Sequence, residues 1–319
     1  MNYEKLLEVS DTVMVSPRDL EQMLFILLEG SKKQIELQRD LGFPSSVMNM
    51  LPSELSDLVM RDKNRFSLKE SAHETVEQLQ LRREGIDAQV ESRLNDATDA
   101  IKSIEQSRTM PYRDFDQVRA LPESTVAKVK LIHQHENLDG RNIILMGDDD
   151  MVSIAIGFTS IAKRVTVLDI DREVLAAIQE SNQRYNLKTE TVLYNAKRAL
   201  PRELTSKYAV AVTDPPYTAE GIALFVSRCL TGLGRKNGVI YLSYGYSQRA
   251  AERALPIQNA LTQMGLVLEE VRPRFTRYDG ALSIGSASSL YVCRMTPRSK
   301  PIVSGEFAGD IYTKTRPKR

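Results

Sequence analysis

The alternation of apolar and polar positions changes character along this chain. Up to about residue 112, apolar residues recur at helical spacing between charged stretches; beyond it they gather into runs of four or five, each closed by a turn or an acid. Short apolar runs bounded by turn residues read as buried strands, and the amphipathic stretches between them as helices. The pattern predicts strands at Ile143–Met146, Val165–Leu168, Thr191–Tyr194, Ala209–Thr213 and Val239–Ser243. It predicts helices at Val152–Ala162, Glu173–Asn186 and Gly221–Leu233, with an earlier helix opened by Pro122-Glu123-Ser124 and followed by a turn at Asp139-Gly140. Strands alternating with helices predict an α/β fold with a parallel, doubly wound, Rossmann-like sheet. The stretches LVLEEVRPRF and SLYVCRM near the end read as an antiparallel edge pair.

The first part reads differently. An apolar-rich helix over Arg18–Glu29 is entered from Ser16-Pro17 and closed by Gly30; a helix around Lys32–Asp40, a turn at Gly42 and a second helix after Pro44 follow. RDKNRFSLKESAHETVEQL then supplies a hairpin or wing, which is the spacing of a small winged-helix-like domain. Its second helix, PSSVMNMLPSEL, is broken by Pro52 and carries no Lys or Arg. Phosphate contacts supply most affinity for DNA, so no specific DNA binding is expected; a dimer contact or a cleft wall fits better. Residues 70–108 form a charged helical connector with a break at Gly85. The divisions are therefore 1–112, 113–297, and a basic tail over 298–319 that holds six Lys or Arg against Glu306 and Asp310.

Composition narrows the classes. With 319 residues, 42% hydrophobic and 27% charged, the chain can bury a sizeable core, and its formal net charge of +1 provides no overall basic field for nucleic acid. No apolar run approaches the ~20 residues that span a bilayer, and MNYEKLLEVSD lacks a signal-peptide core, so a cytoplasmic protein is expected. Two distant cysteines, Cys229 and Cys293, read as buried thiols, and His73 as a surface residue. His133 and His135, two apart on one helix, do not face each other, so a shared metal is not expected.

The chemistry gathers at strand ends. Ile143–Met146 stops at Gly147 and hands over to Asp148, Asp149 and Asp150 where a helix begins. In an open α/β sheet ligands bind at such ends, where the helix N-terminus presents free N–H groups. One Asp suffices for a cap, so three in a row point to a cation-binding site, with helix capping the alternative. Asp169 closes the second strand where a carboxylate accepts hydrogen bonds from ribose hydroxyls, and Asp171 is placed to cap the next helix. Asn195, closing the third strand, would lie near an adenine ring or serve as an ordinary turn residue. Asp214-Pro215-Pro216-Tyr217 makes a rigid extended loop that holds one carboxylate and one aromatic ring beside the cofactor position, suited to an amine; a purely structural turn is the alternative.

DPPY after the fourth strand is similar to amino-group methyltransferases acting on adenine. FDQVRALPEST, GDDD, LDID and DPPYTAEGIALFVSRCL together resemble the branched-chain polyamine synthases, the N4-bis(aminopropyl)spermidine synthases, through most of the chain. That resemblance implies transfer of aminopropyl groups from decarboxylated S-adenosylmethionine, as co-substrate, to the secondary amine of spermidine or a related polyamine. Methylthioadenosine would be released, with no prosthetic group or metal required. It places the acidic centre on Asp148, Asp149, Asp150 and Asp214; Gly147, Asp169, Asn195 and Pro215 would line the donor, Asp214, Tyr217 and Asp149 the acceptor, and a homodimer is expected. The chemistry is consistent: three aspartates repel the carboxylate of the ordinary methyl donor but not the ammonium of its decarboxylated form. A positioned Asp can also take the proton of the attacking nitrogen. Asp150 is expected to face that nitrogen. The alternative is an S-adenosylmethionine-dependent amino-methyltransferase acting on a nucleic-acid base, which would need a basic groove and a first loop tolerant of a carboxylate.

Overall fold

The computed structural model describes residues 3–108, 115–136, 138–234 and 237–313. They divide into two compact units, Met1–Glu91 with His133–Asn137, and Ser92–Ile132 with Leu138–Arg319. In the first unit α1 (Tyr3–Val13), α2 (Pro17–Leu28), α3 (Gln34–Leu41) and α4 (Ser45–Glu54) accompany three short strands, β1 (Lys32–Lys33), β2 (Val59–Asp62) and β3 (Arg65–Leu68). The strands form an antiparallel sheet in the order β1-β3-β2. Its core holds Leu6, Leu20, Met23, Leu24, Leu37, Met48 and Phe66. Ser16 caps α2 by accepting the Asp19 N–H, and Pro17 occupies the first turn, where its missing N–H costs nothing.

Three local expectations are corrected. Lys32 pairs with Phe66 of β3, so α3 begins at Gln34. The second helix is not broken at Pro52: α4 runs through it, because buried Val47, Met48 and Leu51 hold the helix against the lost hydrogen bond. Nor does Gly85 break the connector. The helix α5 (His73–Ser107) is continuous over 35 residues. One helical glycine costs roughly 1 kcal/mol, less than the burial of Val76, Val90, Leu94 and Ile101 returns. His73, at its start, is exposed.

In the second unit, α6 (Pro122–Glu136, its last turn counted with the first unit) leads into β4 (Asn142–Met146), α7 (Val152–Thr159), β5 (Arg164–Asp169), α8 (Arg172–Tyr185) and β6 (Thr189–Leu193). Then come β7 (Val210–Thr213), α9 (Ala219–Gly232), β8 (Val239–Tyr244), α10 (Ala254–Gln263), β9 (Val267–Arg277) and β10 (Ala287–Arg294). The seven strands lie in the order β6-β5-β4-β7-β8-β10-β9. The first five are parallel, and β10 and β9 are antiparallel, as the terminal pattern anticipated. This is a Rossmann-like sheet whose order reverses between β4 and β7, so the cleft belongs outside the carboxyl ends of those two strands. Ile143, Ile144, Leu145 and Met146 are each at most 1% exposed, which fits a central strand covered on both faces.

Helix α7 stops at Thr159, short of Ala162, where Ser160 takes a left-handed conformation. Helix α10 was not anticipated. Within residues 298–313, part of the stretch read as a basic tail, Val303, Phe307, Ile311 and Tyr312 pack against the core of the second unit while most of the segment is exposed. Fully buried Arg228 of α9 donates to the carbonyls of Val303 (3.0 Å), Gly305 (2.6 Å) and Ala196 (2.9 Å), so it satisfies backbone that a tail would leave to water. Ile311 is 1% exposed and accepts a hydrogen bond from the Thr218 hydroxyl. Lys314, Arg316, Lys318 and Arg319 lie outside the described residues. Among the described residues no helix is long and apolar enough to cross a membrane.

Candidate active site

Gly147 turns the chain out of β4 with φ +76°, a conformation open to glycine at little cost, and its N–H bonds to the Leu168 carbonyl of β5. The three aspartates that follow point to different partners. Asp148 is a cap: its carboxylate accepts the N–H groups of Val152 (2.8 Å) and Ser153 (3.1 Å) at the start of α7. Asp150 turns inward. Its Oδ2 lies 3.2 Å from Lys128 Nζ on α6, its Oδ1 accepts the Ala120 N–H, and it is 5% exposed. Asp149 alone of the three lines a cavity of about 690 Å³. Buried Met151, at φ +57°, closes the loop in a conformation uncommon for its type, which lets consecutive carboxylates diverge.

The structure sets the Asp150 carboxylate against Lys128 and the Ala120 N–H, whereas Asp149 lines the cavity. Asp169, at the end of β5, lines the same cavity, with Oδ2 accepting the Asp148 N–H and Oδ1 the Asp171 N–H. Asp171 caps α8 through the Glu173 N–H. From the far side of the switch point, Asp214, Pro215, Pro216 and Tyr217 line the cavity after β7. Asn195 does not: its side chain accepts the Lys197 N–H within its own turn, the ordinary use of Asn there.

Several lining residues had no sequence signal. The Tyr278 hydroxyl, just past β9, donates to Asp214 Oδ2 at 2.5 Å and also lies 2.7 Å from Ser288 Oγ and 3.1 Å from the Tyr217 hydroxyl. Tyr217 meets Tyr244 edge-on at 5.3 Å, and Tyr244 lies 6.0 Å from Tyr246, so an aromatic wall stands beside the acids. Gly245 lets this wall close, since a Cβ there would reach 2.5 Å from Ile284 and 3.2 Å from the Tyr217 ring. Phe115, Tyr312 and Thr313 complete another part of the lining. Among the described lining residues Arg253 is the one basic side chain.

Burial dominates the electrostatics. It pushes Asp214 up to about 7, helped by Asp150 and opposed by Lys128 and Tyr278. Asp149 is held well above the usual carboxylate range by burial and by Asp150, Asp214 and Asp169. Asp148 rises to about 7 and Asp169 to about 6, again chiefly from burial, with backbone N–H bonds pulling the other way. Asp149, Asp169 and Asp214 line one cavity, and groups so perturbed there are candidates for proton transfer and for pairing with a cation. Among the described residues no cluster of His, Cys, Asp or Glu is arranged to hold a metal ion. His133 instead sits 2.6 Å from Asp87 Oδ1, and both cysteines are buried and free.

A Rossmann-like sheet with acids at the ends of β4, β5 and β7 around one cavity defines the class of fold and site. Residues 96–298 match the family described as the branched-chain polyamine synthase A C-terminal domain, and the chain belongs to the branched-chain polyamine synthase family. It is 35% identical over 199 residues to an uncharacterised protein of Methanocaldococcus jannaschii, covering 62% of this chain and 49% of that one. It is 30% identical over 179 residues to the N(4)-bis(aminopropyl)spermidine synthase of Thermococcus kodakarensis, covering 56% and 51%. The chain spans about half the length of the curated relatives it matches. The crystal structure of the branched-chain polyamine synthase from Thermus thermophilus, in complex with N4-aminopropylspermidine and 5'-methylthioadenosine, shares the fold. It superposes with a TM-score of 0.62 at 21% identity, over 98% of each chain.

Proposed function

We propose that this protein transfers aminopropyl groups from decarboxylated S-adenosylmethionine to the secondary amine of spermidine or a closely related polyamine, making N4-branched products. One observation carries the reading: Asp149 and Asp214, on opposite sides of the switch point, line one cavity together with Asp169 and an aromatic wall. Family membership supports it, as do the ligands of the Thermus thermophilus relative.

In this reading Asp169 accepts hydrogen bonds from the donor's ribose, and Gly147 and Pro215 border the nucleoside. The acceptor's ammonium settles between Asp149 and Asp214 and gives its proton to one of them, both being poised above the usual carboxylate range. The freed lone pair attacks the propyl carbon bonded to sulfur. That carbon–sulfur bond breaks, its electron pair stays on sulfur, and neutral methylthioadenosine leaves. The new tertiary amine carries the positive charge, which the same carboxylates face. Once it loses a proton, a second transfer gives a quaternary nitrogen. Tyr217, Tyr244 and Tyr246 offer faces to the methylene arms and to cationic nitrogen. Sulfur supplies its own leaving group, so the chain's main contribution is alignment and charge.

The test is incubation with ordinary or decarboxylated S-adenosylmethionine and a panel of linear polyamines and oligonucleotides, read by product mass. Growth of spermidine by one and then two aminopropyl units is expected. Methylation of any acceptor, with no aminopropyl product, would replace this reading with a methyltransferase.

A further inference from the structure

Lys128 is a buried ammonium inside a site that, on the reading above, receives ammonium ions. It lies on α6, is 1% exposed, and reaches Asp150 Oδ2 at 3.2 Å. The arrangement is fixed from several sides: Ala120 N–H donates to Asp150 Oδ1, and the Thr125 hydroxyl donates to the Asp150 carbonyl at 2.9 Å. A buried ion pair costs much desolvation and is a weak stabiliser. A reason for it is found in what surrounds it. Asp148 and Asp149 face the region from the loop after β4, Asp169 from the end of β5, Asp214 and Tyr217 from the loop after β7, Tyr278 from beyond β9, and Arg108 from the end of α5, where it donates to the Asp149 carbonyl.

We propose that Lys128 is a positioning residue of the transfer reaction: by neutralising and turning away Asp150, it leaves Asp149 and Asp214 as the pair that takes the acceptor's ammonium and its proton. This rests on the aminopropyl-transfer reading. Without Lys128, the Asp150 carboxylate would act unopposed on both cavity acids, pushing them further above the usual carboxylate range and leaving them less ready to take the acceptor's proton. An unpaired Asp150 would also compete for the polyamine, drawing a nitrogen away from the line of attack. The charge of Lys128 already acts on Asp214 in the sense opposite to that of Asp150.

The full chain, Lys128→Met and the double variant Lys128→Met/Asp150→Asn are assayed with decarboxylated donor and spermidine across pH, separating kcat from acceptor KM. Lys128→Met should lose at least about tenfold in kcat at neutral pH, with the acid limb of the kcat profile moved up by about one pH unit or more. The double variant, which removes both charges, should return the acid limb and kcat close to the wild type. A structural role alone would not be rescued by deleting the partner's charge. An unmoved acid limb in Lys128→Met, or a double variant as impaired as the single, overturns the proposal. If Lys128→Met does not fold, the double variant decides by itself: a wild-type acid limb supports the proposal, and a displaced limb or failure to fold overturns it. A wild-type chain inert toward every amine would overturn the transfer reading and this inference together.

Discussion

Asp148, Asp149 and Asp150 are chemically identical and adjacent, yet one caps a helix, one opens on the cavity and one is tied to a lysine. Their variants should therefore fail differently. Asp149→Asn and Asp214→Asn should each lower turnover at saturating donor and acceptor by ~10²–10⁴-fold, the usual cost of losing a positioned base. Asp150→Asn should instead destabilise the protein, by about 3–5 kcal/mol, because it strands buried Lys128 without a counter-ion. Denaturant unfolding checks the second and steady-state kinetics the first; wild-type turnover in both Asp149→Asn and Asp214→Asn would remove acid assistance from the account. Asp169→Ala should raise the donor's KM more than it lowers kcat, since on the proposed reading it holds the ribose, a part of the donor that does not react.

At the scale of elements, the helix α7 depends on Asp148 for two of its free N–H groups. Asp148→Ala should cost ~0.5–2 kcal/mol in thermal or denaturant unfolding while leaving more activity than Asp149→Asn. Much of the second unit was legible in the sequence. Apolar runs closed by Gly147, Asp169 and Asp214 marked β4, β5 and β7, because a central parallel strand must be apolar on both faces and a cleft acid must follow it. What pointed each acid somewhere was not legible. Lys128 lies on a helix whose residues read as one more amphipathic stretch, and Tyr278 reaches Asp214 only through pairing of β9 with β10, a contact 64 residues away in sequence. Gly85 and Pro52 misled for the opposite reason: local propensity was overridden by burial of neighbouring side chains. The anchoring of residues 303–305 was hidden because it comes from Arg228, far upstream.

For the molecule as a whole, the buried acids make the free protein sensitive to pH. Asp148, Asp169 and Asp214 have folded values raised above those of the unfolded chain, so the folded state binds more protons between the two. Their contribution is fully present below the unfolded carboxylate range, near 4, and is lost as pH rises through about 6 to 7. The melting temperature of the free protein should accordingly fall between about pH 5 and pH 8, and spermidine should restore more of it at the higher pH, where the carboxylates are charged. A melting temperature that rises across that window, with no pH dependence of the spermidine effect, would contradict the assignment of Asp214 to cation binding.

The same charge logic should govern donor choice. The ordinary donor brings a carboxylate toward Asp149, Asp169 and Asp214, whereas the decarboxylated one brings only an ammonium and a sulfonium. Calorimetric titration of the full chain with each donor in turn measures this preference. Decarboxylated S-adenosylmethionine should bind at least about a hundredfold more tightly, since like-charge contacts cost several kcal/mol, and Asp149→Asn should narrow the gap. Equal affinity for the two donors, or a preference for the carboxylated one, would contradict it.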